Sequence, residues 1–252
     1  MYNPFSISGK TIMITGAGGG IGRATAVECA KMGANVVATD INETSLQETL
    51  SLLDVSVDQQ HQLIVADLTD ESLLTQLVER VPVLDGLVSN AGVSKVLPIQ
   101  FLNIQDMDRV MNINAFAPMY LTQKLYKKKK ICKGGSIVFT VSISGVSMVS
   151  MGGVMYAVSK NALDAFMRNA ALEFAARGIR VNSVNPSRVN TPLIKANTSY
   201  SEDDLAKDML TYPLRRYAEP EEIAHAIIYL LSDASSYVTG HALVIDGGKT
   251  LN

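Results

Sequence analysis

The segment from Thr11 to Asp40 leaves the chain little freedom in how it can fold. Thr11–Thr15 (TIMIT) is short, apolar and β-branched, the pattern of a buried strand. It runs directly into Gly16-Ala17-Gly18-Gly19-Gly20-Ile21-Gly22. Arg23–Met32 then has helical composition, with Gly33 as a natural stop. Asn35–Thr39 (NVVAT) reads as a second strand, and Asp40 follows it. Strand, glycine turn, helix, strand, acid is the layout of a mononucleotide-binding βαβ unit. Glycines such as Gly16, Gly20 and Gly22 permit a tight turn and let a pyrophosphate approach the backbone. The helix N-terminus offers that anion unpaired N–H groups and a partial positive charge.

Asp40, 18 residues beyond Gly22, addresses the choice of dinucleotide. A carboxylate there can accept hydrogen bonds from the adenosine ribose hydroxyls and repels the extra phosphate of NADP. Ile41 and Asn42 offer no cation for that phosphate, and neither does Ala17–Ile21. Arg23 is the nearby cation, and it lies inside the predicted helix. NAD(H) is therefore expected over NADP(H). The competing reading is that Asp40 only caps the next helix.

The rest of the chain repeats the alternation. Strands are predicted at Leu63–Ala66, Leu84–Ser89, Gly135–Val141, Ile179–Asn185 and Ala242–Ile245. Helices are predicted at Glu43–Leu53, Asp70–Val81, Asp106–Tyr126, Met155–Ala176 and Pro220–Leu231. Such alternation implies a parallel sheet covered on both faces. The expectation is one Rossmann-type α/β domain over residues 1–252. Its doubly wound sheet has seven strands in the order 3-2-1-4-5-6-7, and the cofactor crosses the 1/4 switch point. Asn112 and Asn114 lie inside a predicted helix, where asparagine is unfavourable unless it bonds something, and Pro118 is expected to bend that helix near Asn114. Ser187–Arg216 lacks strand signals and is expected to be a lid or specificity element.

Tyr156 and Lys160 are four residues apart, so on a helix they share one face. A nearby ammonium favours the phenolate and lowers a tyrosine pKa from about 10. Such a tyrosine can exchange a proton during alcohol oxidation or ketone reduction. A bare Tyr-x-x-x-Lys is more often a plain helix turn, so its meaning depends on the surrounding pattern.

Composition removes other classes. A chain of 252 residues with 47% hydrophobic residues is globular, and its net charge of −2 gives no bulk attraction to nucleic acid or an anionic membrane. Cys29 and Cys132 form no CxxC pair, and His61, His225 and His241 belong to no HExxH, so no metal site is expected. No signal peptide or membrane-spanning run is visible, which makes a soluble cytoplasmic protein the default. There is no G-x-S-x-G elbow of a hydrolase. Gly247-Gly248-Lys249-Thr250 imitates a phosphate loop, but Leu243 stands where its first glycine is required. The Lys127–Lys130 run complements a helix C-terminus. Its alternative is docking of an acidic partner such as an acyl carrier protein, helped by Lys133 and Arg177.

Taken together, Thr15-Gly16-x-x-x-Gly20-Ile21-Gly22, Asn90-Ala91-Gly92, Ser142, Tyr156-x-x-x-Lys160 and Asn185-Pro186 with Thr191 resemble the short-chain dehydrogenase/reductase family, over Lys10 to Gly248. The resemblance implies that Tyr156 is the acid or base at the substrate oxygen, that Lys160 lowers its pKa and holds the nicotinamide ribose, and that Ser142 orients the oxygen. It implies that Asn114 holds a water on a proton relay from Lys160. For the cofactor it implies that Asp67 and Leu68 flank the adenine, that Asn90 and Gly92 line the cleft with Pro186, and that Thr191 bonds the carboxamide. Departures are Ser187 where glycine is common, Ser89 for a second asparagine, and Phe139 for a polar residue. Ser142 also lies 14 residues before Tyr156, one more than the family spacing, which makes Ser144 its runner-up.

The implied activity is an NAD(H)-dependent oxidoreductase interconverting a secondary alcohol and a ketone, working as a homotetramer. A 3-oxoacyl carrier-protein reductase is the alternative within the family. A non-catalytic nucleotide-binding regulator is the alternative outside it. Substrate specificity is expected in Val93–Phe101, Ser147–Met155 and Leu193–Arg216.

Overall fold

The computed structural model describes residues 2–53, 58–192 and 201–251. Seven parallel strands form one sheet in the order β3-β2-β1-β4-β5-β6-β7. They are β1 Thr11–Thr15, β2 Asn35–Asp40, β3 Gln62–Val65, β4 Leu84–Ser89, β5 Ile131–Thr140, β6 Arg180–Pro186 and β7 Ala242–Ile245. The helices are α1 Gly20–Lys31, α2 Glu43–Ser51, α3 Glu71–Arg80, α4 Ile104–Met111, α5 Ala117–Lys127, α6 Val154–Phe174, α7 Glu202–Met209 and α8 Pro220–Leu231. The expected Rossmann-type strand order is the observed one.

Side-chain alternation sorts the core into two layers. On β1, Met13 enters the layer with Leu87, Phe139, Leu121 of α5, and Leu163 and Met167 of α6. Ile12 and Ile14 enter the other, with Ala26 and Cys29 of α1, Leu46 of α2, and Ile223 and Ile227 of α8. These strand residues have no exposed surface, and each buried side chain of this size contributes roughly 1.5–3 kcal/mol. Such a core fixes the carboxyl ends of the strands, and the cleft opens above them.

Four elements differ from expectation, each for a local reason. The first helix begins at Gly20, three residues before the predicted Arg23, because glycines form its first turn. Strand β5 begins at Ile131 and not Gly135; a register irregularity between its pairings with Leu84 and Gly86 takes up the extra residues. The helix predicted as Asp106–Tyr126 is interrupted by a π-helical turn, Asn112–Phe116, in which the Ala117 N–H bonds the Asn112 carbonyl. Pro118 has no N–H to send to the Asn114 carbonyl in an α-helical pattern, so the ladder widens there. The predicted lid contains α7, whose start is a capping box: Ser201 Oγ accepts from Asp204 N at 3.2 Å and Asp204 Oδ2 accepts from Ser201 N at 3.0 Å. Residues 193–200, part of the same expected lid and of the Leu193–Arg216 specificity segment, lie outside the described residues.

Candidate active site

A cleft of about 1100 Å³ lies across the carboxyl ends of the strands. Its floor is the β1–α1 turn. Gly19 caps α1 without a side-chain bond, and no acid occupies the first turn, so that helix end keeps open N–H donors toward the cleft. Asn90 ties β4 to this turn: its Nδ2 donates to Thr15 O at 3.2 Å and Gly16 O at 3.4 Å. Thr15 Oγ1 accepts from the N–H groups of Asn90 at 2.9 Å and Ala91 at 3.1 Å. A Cβ on Gly22 would collide with the Gly16 carbonyl and come within 2.7 Å of Asn90 Nδ2, so a side chain there would force the turn open. Ile21, Asp67, Leu68, Pro186 and Thr191 also line the cleft.

At one end of the cleft Asp40 is fixed by backbone donors. Its Oδ2 accepts from Gly18 N at 2.9 Å and its Oδ1 from Asn42 N at 3.0 Å. The expected competing role is only partly present: the cap of α2 is Asn42, whose side chain accepts from Ser45 N. Arg23 is engaged nearby through Nε and Nη2. It donates to Gly18 O at 2.5 Å, Ser45 O at 3.1 Å, Glu48 Oε2 at 2.8 Å and Thr49 Oγ1 at 3.1 Å. An arginine so placed braces the turn, and it does not line the cleft.

At the other end stand Ser142, Tyr156 and Lys160, all lining the cleft. Ser142 follows β5; its hydroxyl donates to Pro186 O at 3.4 Å and lies near enough to the Tyr156 phenol to favour the phenolate. Ser144 turns its backbone N–H onto Ser142 Oγ at 3.1 Å. Lys160 is 3% exposed, donates to Thr140 O at 2.7 Å, and holds Nζ 5.6 Å from the Tyr156 ring centre. Burial pushes the Tyr156 phenol up to about 12, against the lowering effect of the Ser142 hydroxyl. Burial also lowers the Lys160 ammonium to about 8. Lys160 is not among the groups that shift the tyrosine in the protein alone, where desolvation is the largest influence on both groups. Thr140 lines the cleft, and its buried hydroxyl has no partner among the described residues. An unsatisfied buried hydroxyl beside a lysine, an open helix N-terminus and a fixed carboxylate are what the ribose, diphosphate and adenosine parts of a nicotinamide dinucleotide require.

The family model described as enoyl-(acyl carrier protein) reductase matches residues 16–250. The 3-oxoacyl-acyl-carrier-protein reductase FabG of Rickettsia bellii is 37% identical, over 97% of this chain and 98% of its own length. The chain belongs to the short-chain dehydrogenase/reductase family. The solved structure of levodione reductase superposes with a TM-score of 0.88 at 31% identity, covering 97% of this chain and 98% of that one. A Beutenbergia cavernae protein, provisionally assigned as an NAD(P)-dependent gluconate 5-dehydrogenase and holding NADP at low occupancy, superposes at 0.85 with 29% identity, covering 99% and 100%. Members of this family are oxidoreductases, and the matched region contains Asp40, Ser142, Tyr156 and Lys160 of the cleft.

Within this short-chain dehydrogenase fold the structure does not join Asn114 to Lys160 directly. Asn114 Oδ1 accepts from Val93 N at 2.8 Å; its Nδ2 donates to Val93 O at 2.8 Å and to Ser159 Oγ at 3.0 Å. The side chain thus fastens the π-helical turn to the strand-four loop. Gly92 lies between the two groups: a Cβ there would meet Asn114 Oδ1 at 3.2 Å and Lys160 Nζ at 3.4 Å.

Several residues escaped the sequence reading. Ser159 and Thr140 carry no local signal, since their role depends on what faces them. Asn185, noted only as part of a motif, donates to the Ser142 carbonyl at 3.3 Å and braces that strand end. The lysine run is partly internal: Lys130 Nζ donates to Val81 O at 2.5 Å, and Arg177 donates to Ile131 O at 3.0 Å while stacking on Tyr126. Arg188, Asp208 and Lys249 also line the cleft. No helix among the described residues is long and apolar enough to cross a membrane.

Proposed function

We propose that the protein is an NAD(H)-dependent oxidoreductase interconverting a secondary alcohol and a ketone. The observation that carries this reading is the Ser142–Tyr156–Lys160 cluster, set in the cleft with an open helix N-terminus. NAD(H), when bound, supplies or accepts the hydride. Tyr156, held protonated by burial, donates its phenolic proton to a carbonyl oxygen in the reductive direction and recovers one in the other. Ser142, beside that phenol, orients the same oxygen. Lys160 and Thr140 hold the ribose, while Asp40 accepts from the adenosine ribose hydroxyls. Asn114 fixes the π-helical turn beside Lys160, and Pro118 cannot bond the Asn114 carbonyl in α fashion. That carbonyl is the acceptor for a relay water.

The fixed Asp40, and an Arg23 that does not line the cleft, support NAD(H). The low-occupancy NADP of the Beutenbergia relative favours the other dinucleotide. Charge-assisted bonds of about 1.5–3 kcal/mol predict roughly 10–100-fold higher kcat/KM with NADH than NADPH. In the same assay Tyr156→Phe is expected to lose about 10²–10⁴-fold in turnover while NADH binding persists. Near-normal turnover of that variant would falsify the assignment of the proton donor.

A 3-oxoacyl carrier-protein reductase is the second reading, favoured by the similarity to the Rickettsia reductase and, for the carrier protein alone, by the enoyl-(acyl carrier protein) reductase family model. A homotetramer is the assembly we assign, through α4–α5 and α6, where Phe116, Tyr120 and Leu172 expose 42%, 59% and 80% of their surface. Sedimentation as a stable monomer would refute it.

A further inference from the structure

The chain between Ser142 and Tyr156 joins β5 to α6, and both of its ends face the reacting oxygen in the proposed reaction. This loop is folded on itself. Ser147 N and Met148 N both donate to Ile143 O, at 2.9 and 3.1 Å, and Gly153 N donates to Ser150 O at 3.1 Å. It is also tied to the loop that follows β4. Leu97 N donates to Gly152 O at 2.9 Å, and a Cβ on Gly152 would stand 2.8 Å from Val96 Cγ1. Residues of both loops line the cleft, starting beside Ser142 itself.

The side chains that these loops bring to the cleft are mainly apolar: Val93, Val96, Ile143, Met148, Val149 and Met151. Ile143 is buried, whereas Val96, Val149 and Met151 leave 54%, 84% and 93% of their surface exposed. One exposed apolar side chain is ordinary. Three on two loops that are bonded to each other, all lining one cleft, form a surface that a ligand covers. Met155, a further methionine of this stretch, is fully buried and belongs to the packing. The polar side chains among them are the small hydroxyls of Ser94, Ser144 and Ser150, and Arg109 of α4 also lines the cleft. Lys95 is drawn to Asp106 at 2.8 Å and does not line it.

We infer that Val96, Met148, Val149 and Met151 receive a neutral hydrocarbon group of the substrate, an alkyl chain of several carbons. Resting on the proposed alcohol–ketone reaction, this narrows the substrates to secondary alcohols and ketones with a long apolar arm. Covering these side chains removes apolar surface from water, so the gain grows with each methylene that meets them. Methionine is unbranched and adapts to irregular shapes, so Met148 and Met151 suit a flexible chain. A charged end on that chain would resist leaving water for such a wall.

The test measures kcat/KM, with NADH and with NADPH, for methyl ketones from butan-2-one to octan-2-one and for 7-oxooctanoate. The N-acetylcysteamine thioesters of 3-oxobutanoate and 3-oxooctanoate form a parallel arm. Across the ketones kcat/KM is expected to rise by about tenfold or more, mainly through KM. Full burial would give roughly fourfold per methylene, and an open cleft covers the chain in part. The octanone-to-butanone ratio is expected to fall by about threefold in Val149→Ser and in Met151→Ser, and to stay high in Met151→Leu. Both side chains are so exposed that these changes leave the core packing intact. The free ketone and the thioester carry the same kind of chain, and the arm with the higher kcat/KM identifies its source. A flat series with measurable turnover of butan-2-one, or a ratio that ignores both serine variants, overturns the inference and leaves the oxidoreductase reading standing. A higher kcat/KM with 7-oxooctanoate than with octan-2-one also overturns it and points to Arg109. Absence of turnover with every ketone and thioester overturns both.

Discussion

The adenosine end and the proton-transfer end of the cleft are built on different plans. At the first, Gly18, Arg23, Asp40, Glu48 and Thr49 come from one continuous run, β1–α1–β2–α2, and bond each other directly. At the second, Asn114 of the π-helical turn, Ser142 after β5, the pair Tyr156 and Lys160 of α6, and Arg188, Asp208 and Lys249 from three further parts of the chain meet only when the sheet is complete. The first end is a brace of backbone and charged side chains. At the second, Tyr156 and Lys160 are buried, and desolvation raises the phenol and lowers the ammonium. A local brace secures a ligand-binding shape; an assembled cluster secures chemistry, at some expense in stability.

Lys160→Met is the strongest way to break that contrast. Burial holds the native ammonium at about 8, while the unfolded chain titrates at the ordinary lysine value of about 10.4. Between those values the unfolded state binds more protons, so wild-type stability rises with pH across that window. The methionine variant is therefore expected to lose turnover by about 10²-fold or more and yet to melt at a higher temperature below pH 8. The difference in melting should shrink as the pH approaches 10. A variant that melts lower than wild type at pH 7, in calorimetric scans, would mean that the Thr140 bond outweighs desolvation. The smaller effect is expected at the other end. Arg23→Ala removes four bonds of the brace and should weaken NADH binding by about tenfold, roughly 1–2 kcal/mol, in a fluorescence titration. Loss concentrated in kcat, with affinity retained, would show that the two ends are not independent.

The same contrast explains what could be read before folding. The turn from Gly16 to Gly22 and the acid at Asp40 were legible because their partners lie close by in the chain and strand, helix and turn each have a local pattern. The strand order followed from the alternation of elements and from the handedness of βαβ crossovers. Tyr156 and Lys160 were legible as a pair through their helical spacing, and Ser142 through its position after a strand. Their ionisation was not, because desolvation depends on Thr140, Ser142 and the walls that close around them. Nor was the use of the Asn114 side chain as a fastener, since Val93 and Ser159 reach it from other elements. Helix α7 had a signal that went unused: Ser201 followed by Glu202, Asp203 and Asp204 is a capping box with an acidic first turn. The Arg188–Asp208–Lys249 group had none, because no spacing rule links residues after β6, on α7 and after β7.

The π-helical turn at Asn112–Phe116 makes this part of the chain sensitive to length as well as to identity. Each residue of an α-helix advances about 100° around the axis. The wide turn inserts one such step between α4 and α5, and so sets the angle at which each faces the sheet. Removing a single residue from 112–116 would restore a regular ladder and rotate one helix against the other. Asn114 would swing away from Val93, and Leu121 and Leu125 would leave the core layer they now fill. A substitution at exposed Tyr120 changes one surface; a one-residue gap nearby changes the phase of two helices at once. The stretch works as a ruler, and its unit is the residue.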